Sequence, residues 1–180
     1  MGIRLKLGLL VTVGSPLIAF VLWYSFSFLP HLSEIREFAR RGNESVRTIQ
    51  GSLYPLLAAA ESTDARRIYA MRQAYWSLVY EREPGGTLKW HAGNFLWYVA
   101  SYIHFDETQI AGIWIECALA QCRSGLSSAA RKYFGREPTQ LSNRELAELL
   151  AVVRSPARYA PGTEAGAMRA KKILVKANLS

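Results

Sequence analysis

The stretch "AARKYFGREPTQLSNRELAELLAVVRSPARYAP", residues 129–161, carries the punctuation of a helical protein. Ser142 followed by Glu145 is a capping box, in which the hydroxyl accepts from the third backbone N–H and the carboxylate reaches back to the cap's own N–H. It places a helix start at Asn143. Leu146, Leu149, Leu150 and Val153 then recur at helical spacing and form one buried stripe. Pro156 cannot continue the helix, so the element stops near Arg154.

The same period extends through the preceding chain. Leu53, Leu56, Leu57 and Ala60 form one set, and Ile68, Met71, Tyr75, Leu78 and Val79 another. Pro84-Gly85-Gly86 interrupts the run, and no alternating apolar-polar stretch of useful length follows it. Phe95 to Ile103 and Ile110 to Leu119 are too apolar for surface helices and are expected in the core. The predicted class is all-α.

The N-terminus has a different character. Arg4 and Lys6 precede a segment with no charge from Leu7 to Leu29, long enough as a helix to cross about 30 Å of hydrocarbon. Trp23, Tyr24 and Phe26 give it an aromatic edge suited to the interface, and no small-x-small cleavage site is evident. The expected organisation is a transmembrane anchor at 1–30, a helical stalk at 31–52 and a helical domain at 53–180. The basic residues ahead of the anchor argue for a cytoplasmic N-terminus and an exported domain, although Arg36, Arg40 and Arg41 just beyond it weaken that bias. In a bacterium this puts the domain on the outer side of the cytoplasmic membrane.

With 180 residues and a formal net charge of +8, the chain is sized for one domain plus an appendage, and its charge favours an anionic partner. Nucleic acid is not that partner, because the anchor exports the domain and no helix-turn-helix or RNA-binding motif is present. His31, His91 and His104 are scattered without ligand spacing, so no metal site is expected. Cys117 and Cys122 fall on different sides of a predicted helix, which favours neither a disulfide nor a metal pair.

From Gln109 to Ala177 the order of features resembles the C-terminal part of the bacterial peptidoglycan glycosyltransferase domain, glycosyltransferase family 51. "IAGIWIE" (110–116), "AARKYFG" (129–135), "LSNRELAELLA" (141–151), "SPARYAP" (155–161) and "RAKKIL" (169–174) follow the family's succession of an Ile-Leu-Glu helix, a Tyr-Phe-Gly stretch, a Leu-x-x-x-Glu helix, a Pro-x-x-Tyr-x-Pro turn and a final basic helix. The resemblance implies a lysozyme-like helical arrangement and a substrate of the lipid II class. It also implies a diphosphate to be held, with room for a divalent cation bridging it.

Upstream the motif pattern departs from the family. "GGTLKWHAGNFLW" (85–97) matches its Gly-x-Ser-Thr motif at Gly86, Thr87 and Asn94, but sets Trp90 and His91 where paired glutamines belong. The Glu-Asp-x-x-Phe-x-x-His-x-Gly motif, whose first Glu is the family's general base, has its nearest counterpart in Glu61 and Asp64; Glu61 also reads as an ordinary solvated acid. The family's second carboxylate aligns with Gly112. Glu116, inside an apolar run, is the other candidate acid, either relocated into the cleft or paired with Arg123 or Arg131.

The candidate catalytic residues are therefore Glu61 and Glu116. Lys89, Arg131, Lys132, Arg154 and Arg158 are candidates for diphosphate contacts, and Trp90 and Asn94 for the glycan. Three readings follow: a divergent polymerase, a non-catalytic relative that binds lipid II or glycan strands or regulates other cell-wall proteins, and a lysozyme-like lytic enzyme.

Overall fold

In the computed structural model the described residues are Ser15, 17–49, 53–118, Cys122 and 125–179. They are helical throughout their regular structure and contain no strand, as the sequence pattern predicts. The chain divides into two compact units, Met1–Ser33 and Glu34–Ser180. Arg4, Lys6 and the first turns of the expected anchor lie outside the described residues.

In the first unit, Phe20, Tyr24 and Phe28 stack at successive i,i+4 positions, with centroids 6.1 and 5.8 Å apart. Tyr24–Phe28 winds as a π-turn, closed by the Leu29 N–H on the Tyr24 carbonyl, immediately before Pro30. Leu17, Ile18, Val21, Leu22 and Phe26 are exposed, which suits an apolar surround better than water. The helical segment Leu17–Thr48 contains an 18-residue window of mean hydropathy 1.2, long and apolar enough to span a bilayer by length and composition.

The second unit holds eight α-helices among the described residues. They are α1 (Leu32–Thr48, which enters it at Glu34), α2 (Leu53–Ala60), α3 (Thr63–Tyr75), α4 (Thr87–His104), α5 (Glu107–Ala118), α6 (Gly125–Phe134), α7 (Asn143–Arg154) and α8 (Glu164–Lys176). Local signals set their ends. Ser62 Oγ accepts from Ala65 N–H at 3.3 Å and Thr163 Oγ1 from Gly166 N–H at 3.1 Å, starting α3 and α8. The capping box of Ser142 and Glu145 is formed, and α7 runs from Asn143 to Arg154 with its four stripe residues buried.

Helix α3 packs on α5 and α4, while α7 and α8 pack on each other and on α2. Arg67, buried on α3, ties down the end of α4: its guanidinium donates to the Ser101 and Phe105 carbonyls at 2.9 and 3.2 Å and lies 4.2 Å over the Tyr102 ring. The Ser101 carbonyl also accepts the capping Phe105 N–H at 3.0 Å, and a cation beside this last turn opposes the negative end of the helix dipole.

Helix α1 carries Ile35, Phe38, Ala39 and Gly42 on its buried face. At Gly42 it touches α5 backbone to backbone. A Cβ on Gly42 would collide with the Gly112 carbonyl, and one on Gly112 with the Ala39 carbonyl. Residues 34–48, read in sequence as stalk, thus lie in the same unit as the helices that follow.

Two expectations are corrected. Cys117 and Cys122 form a disulfide. A continuous helix would hold them apart, but α5 ends at Ala118, and Cys122, with φ at 61°, returns its N–H to the Cys117 carbonyl at 3.3 Å. The second correction concerns Phe95–Ile103. Only Trp97, Ala100 and Ser101 of that stretch are buried, whereas Phe95, Tyr102 and Ile103 face outward. Ile110 to Cys117, by contrast, are all buried.

Candidate functional site

Glu61 sits at the junction of α2 and α3, next to the Ser62 cap. Its side chain is only 7% exposed, so it is not a solvated surface acid. Arg169 of α8 donates to Oε1 at 2.7 Å and to the Ala60 carbonyl at 3.4 Å, and Arg154 at the end of α7 lies 3.5 Å from both carboxylate oxygens. Arg158 and Arg169 both lie against the Tyr159 ring, at 5.4 and 5.3 Å. One carboxylate therefore holds two guanidinium groups, and the cluster keeps a net positive charge. Arg154, 56% exposed, carries that charge to the surface, where a phosphate oxygen could be bound by charge-assisted hydrogen bonds.

Glu116 is the second acid. It is buried on α5, and its partner is Arg41 of α1, whose Nε lies 3.1 Å from Oε1. Arg131 pairs with Glu137 at 2.6 Å, and Arg123 lies outside the described residues. The Arg41 Nε has no hydrogen-bond partner of good geometry, so the contact with Glu116 is ionic rather than directional. Burial pushes the Glu116 carboxyl above its ordinary range, Arg41 opposes that rise and Glu37 adds to it. Gly125, with φ at 48°, begins α6 against this acid, where a Cβ would stand 2.7 Å from Glu116 Oε2.

The remaining candidates divide among separate elements. Lys89 Nζ donates to the Glu83 carbonyl at 2.8 Å, closing the Gly-Gly turn. Trp90 is half-buried among Tyr75, Trp76 and Tyr80, with centroids at 5.9, 5.4 and 4.9 Å. Asn94 Nδ2 donates to the Trp90 carbonyl at 2.7 Å, leaving its Oδ1 buried without a partner. Arg131 and Lys132 are exposed on α6, Lys132 lying 5.3 Å over the Tyr133 ring. The structure brings Glu61 and Arg154 into contact. Glu61 and Glu116 share no described partner.

Sequence reasoning missed Arg41 and Arg169. Both were visible as cations, but nothing local pairs Arg169 with an acid 108 residues away.

The family model described as Transglycosylase matches residues 104–179, less than half of the chain. The match runs from the end of α4 through α8 and supports a peptidoglycan-glycosyltransferase-like role. It contains Gly112, Glu116, Arg131, Lys132, Arg154 and Arg158, whereas Glu61, Lys89, Trp90 and Asn94 precede it. No curated protein and no solved structure matches the chain.

Proposed function

We propose that this chain is a membrane-anchored, transglycosylase-like protein that binds lipid II or nascent glycan without polymerising it, in a lysozyme-like helical arrangement. The observation that carries this reading is the clamp on Glu61. A general base must offer a free oxygen to the acceptor hydroxyl, and this carboxylate is buried and engaged by Arg154 and Arg169. Gly112 adds support. The residue aligned with the family's second carboxylate has no side chain, and the backbone of α1 lies against it.

Arg154, Arg158, Arg131 and Lys132 are the cations we assign to the diphosphate, with Lys89, Trp90 and Asn94 toward the sugar. Among the described residues no three His, Cys, Asp or Glu side chains gather to hold a metal ion. A divalent cation bridging the diphosphate would be held chiefly by the substrate's own phosphate oxygens, and no step is routed through it. The binding test is fluorescence anisotropy of labelled lipid II with the full-length protein in detergent. Arg154→Ala with Arg158→Ala should weaken binding at least tenfold, and unchanged affinity contradicts the assignment.

A polymerising reading has one observation in its favour: burial raises the proton affinity of Glu116 above the ordinary carboxyl range, the direction in which buried catalytic acids are shifted. We place the domain on the outer side of the cytoplasmic membrane. The Cys117–Cys122 bond supports this, since disulfides persist in oxidising compartments. A reporter active only in the cytoplasm, fused after Ser180, should be silent.

A further inference from the structure

Helix α8 buries one face and leaves the other charged. Gly166, Ala170 and Ile173 face the interior, and Arg169 is engaged by Glu61. Met168, Lys171, Lys172, Val175 and Lys176, at i, i+3, i+4, i+7 and i+8, lie on the other side, and all five are exposed. Lys171, Lys172 and Lys176 make no ion pair with a described residue, and Glu164, the sole acid on α8, stands in its first turn. Between α8 and the start of α7 is a cavity of about 380 Å³, lined by Ala167, Met168, Ala170 and Leu174 together with the cations Arg144 and Lys171. Arg144 is paired with Glu148 at 3.3 Å, which leaves Lys171 as the cavity's uncompensated charge. Exposed lysines alone form an ordinary solvated face. The cavity, and the two apolar side chains in line with the lysines, Met168 at 57% and Val175 at 56% exposure, set this one apart.

We propose that this face of α8 docks an acidic amphipathic helix of a second protein, with one large apolar side chain entering the cavity and carboxylates flanking it on Lys171, Lys172 and Lys176. Spacing selects a helix, because side chains at i, i+3, i+4, i+7 and i+8 form the seam that a facing helix packs against. Charge selects the composition of that helix. Three unpaired cations within two turns attract carboxylates and oppose a second copy of α8, where like charges would meet. The cavity selects a protein over a bare polyanion, since a phosphate chain has no apolar group to place among Ala167, Met168, Ala170 and Leu174. Its volume falls at the lower end of the roughly 300–1,000 Å³ range of binding clefts, which suits a single anchor. Arg144 and Arg154 stand at opposite ends of α7, about 15 Å apart along its axis. The docking face is therefore distinct from the surface assigned to the diphosphate.

The experiment uses the full-length protein in phosphatidylcholine nanodiscs and fluorescein-labelled helical peptides that share a leucine seam and carry Glu, Gln or Lys at the flanking positions. Anisotropy should show the Glu peptide bound at least tenfold tighter than the Gln peptide. Lys171→Glu with Lys172→Glu should reverse the order, so that the Lys peptide binds best. Ala167→Phe, which fills the cavity and keeps every cation, should weaken the Glu peptide at least tenfold. The substituted positions are exposed or half-buried, and circular dichroism checks that each variant folds. Equal binding of the Glu and Gln peptides, or Glu-peptide binding unchanged in either variant, overturns the proposal. Displacement of the Glu peptide by phosphatidylglycerol vesicles also overturns it, by assigning the face to a lipid surface. So does a dimer of the peptide-free parent that Lys171→Glu dissociates, which assigns the face to a second copy.

Discussion

Arg169, on the last helix, donates a 2.7 Å hydrogen bond to Glu61, 108 residues earlier in the chain. This contact fastens α8 to the α2–α3 junction, and Arg154 brings the end of α7 to the same carboxylate. The residue with the best sequence claim to be a base is thus the centre of a tertiary clamp.

Removing Arg169 leaves a buried carboxylate with one guanidinium at 3.5 Å. Arg169→Met should cost about 3–5 kcal/mol of stability, the usual penalty for breaking a buried pair. Adding Glu61→Gln should recover part of that loss, because the stranded charge is then gone. Denaturant unfolding of the full-length protein in detergent measures both; equal stability of parent and Arg169→Met would place the clamp outside the folded state's energetics.

Gly112 is a packing residue. Gly112→Ala sets a methyl group against the Ala39 carbonyl and should cost about 1–3 kcal/mol by forcing α1 off α5. Gly112→Glu, which introduces the acid that the resemblance leads one to expect at this position, should lower the melting temperature further without creating polymerase activity. An active and stable Gly112→Glu variant would mean that the space is open.

Glu116 fixes the sign of a pH effect. Its folded carboxyl holds a proton above the ordinary 4.5, so the folded state binds more protons than the unfolded state as pH rises past that value. The burial penalty is absent below about pH 4.5 and grows above it, until the folded group has also ionised. Glu116→Gln should therefore match the parent at pH 4 and exceed it in stability at pH 7. A larger advantage at pH 4 would reverse the assignment. Arg41, 42% exposed, can turn to water when its partner is neutral.

How much of this was readable depends on how far apart the interacting residues lie. Helix α7 was legible to its ends, because Ser142, Glu145 and Pro156 act within a few residues of one another. The stretch Phe95–Ile103 was misread as core, because composition shows that a helix is apolar but not which of its faces the fold covers, and Phe95, Tyr102 and Ile103 face outward. The Cys117–Cys122 bond was hidden because the helix ends at Ala118, short of Cys122, and Cys122 takes a positive φ that its sequence does not announce. Gly112 read as a missing acid until Gly42, on another helix, gave it a packing role. For Glu61 the residue was found and its environment was not.

Closing a loop this short restricts the unfolded chain by about 2 kcal/mol on the loop-entropy estimate. Reductant should lower the melting temperature of the parent protein and leave that of Cys117→Ser/Cys122→Ser unchanged. An equal response of the two, or none in the parent, would count against the bond.

The most direct measurement is a polymerisation assay on labelled lipid II with the full-length protein in detergent, run beside a binding titration. The account predicts saturable binding with no glycan chains, for the parent and for Glu61→Gln alike. Chains made by the parent and lost in Glu61→Gln would contradict it, showing that the clamped carboxylate is released to act as the base.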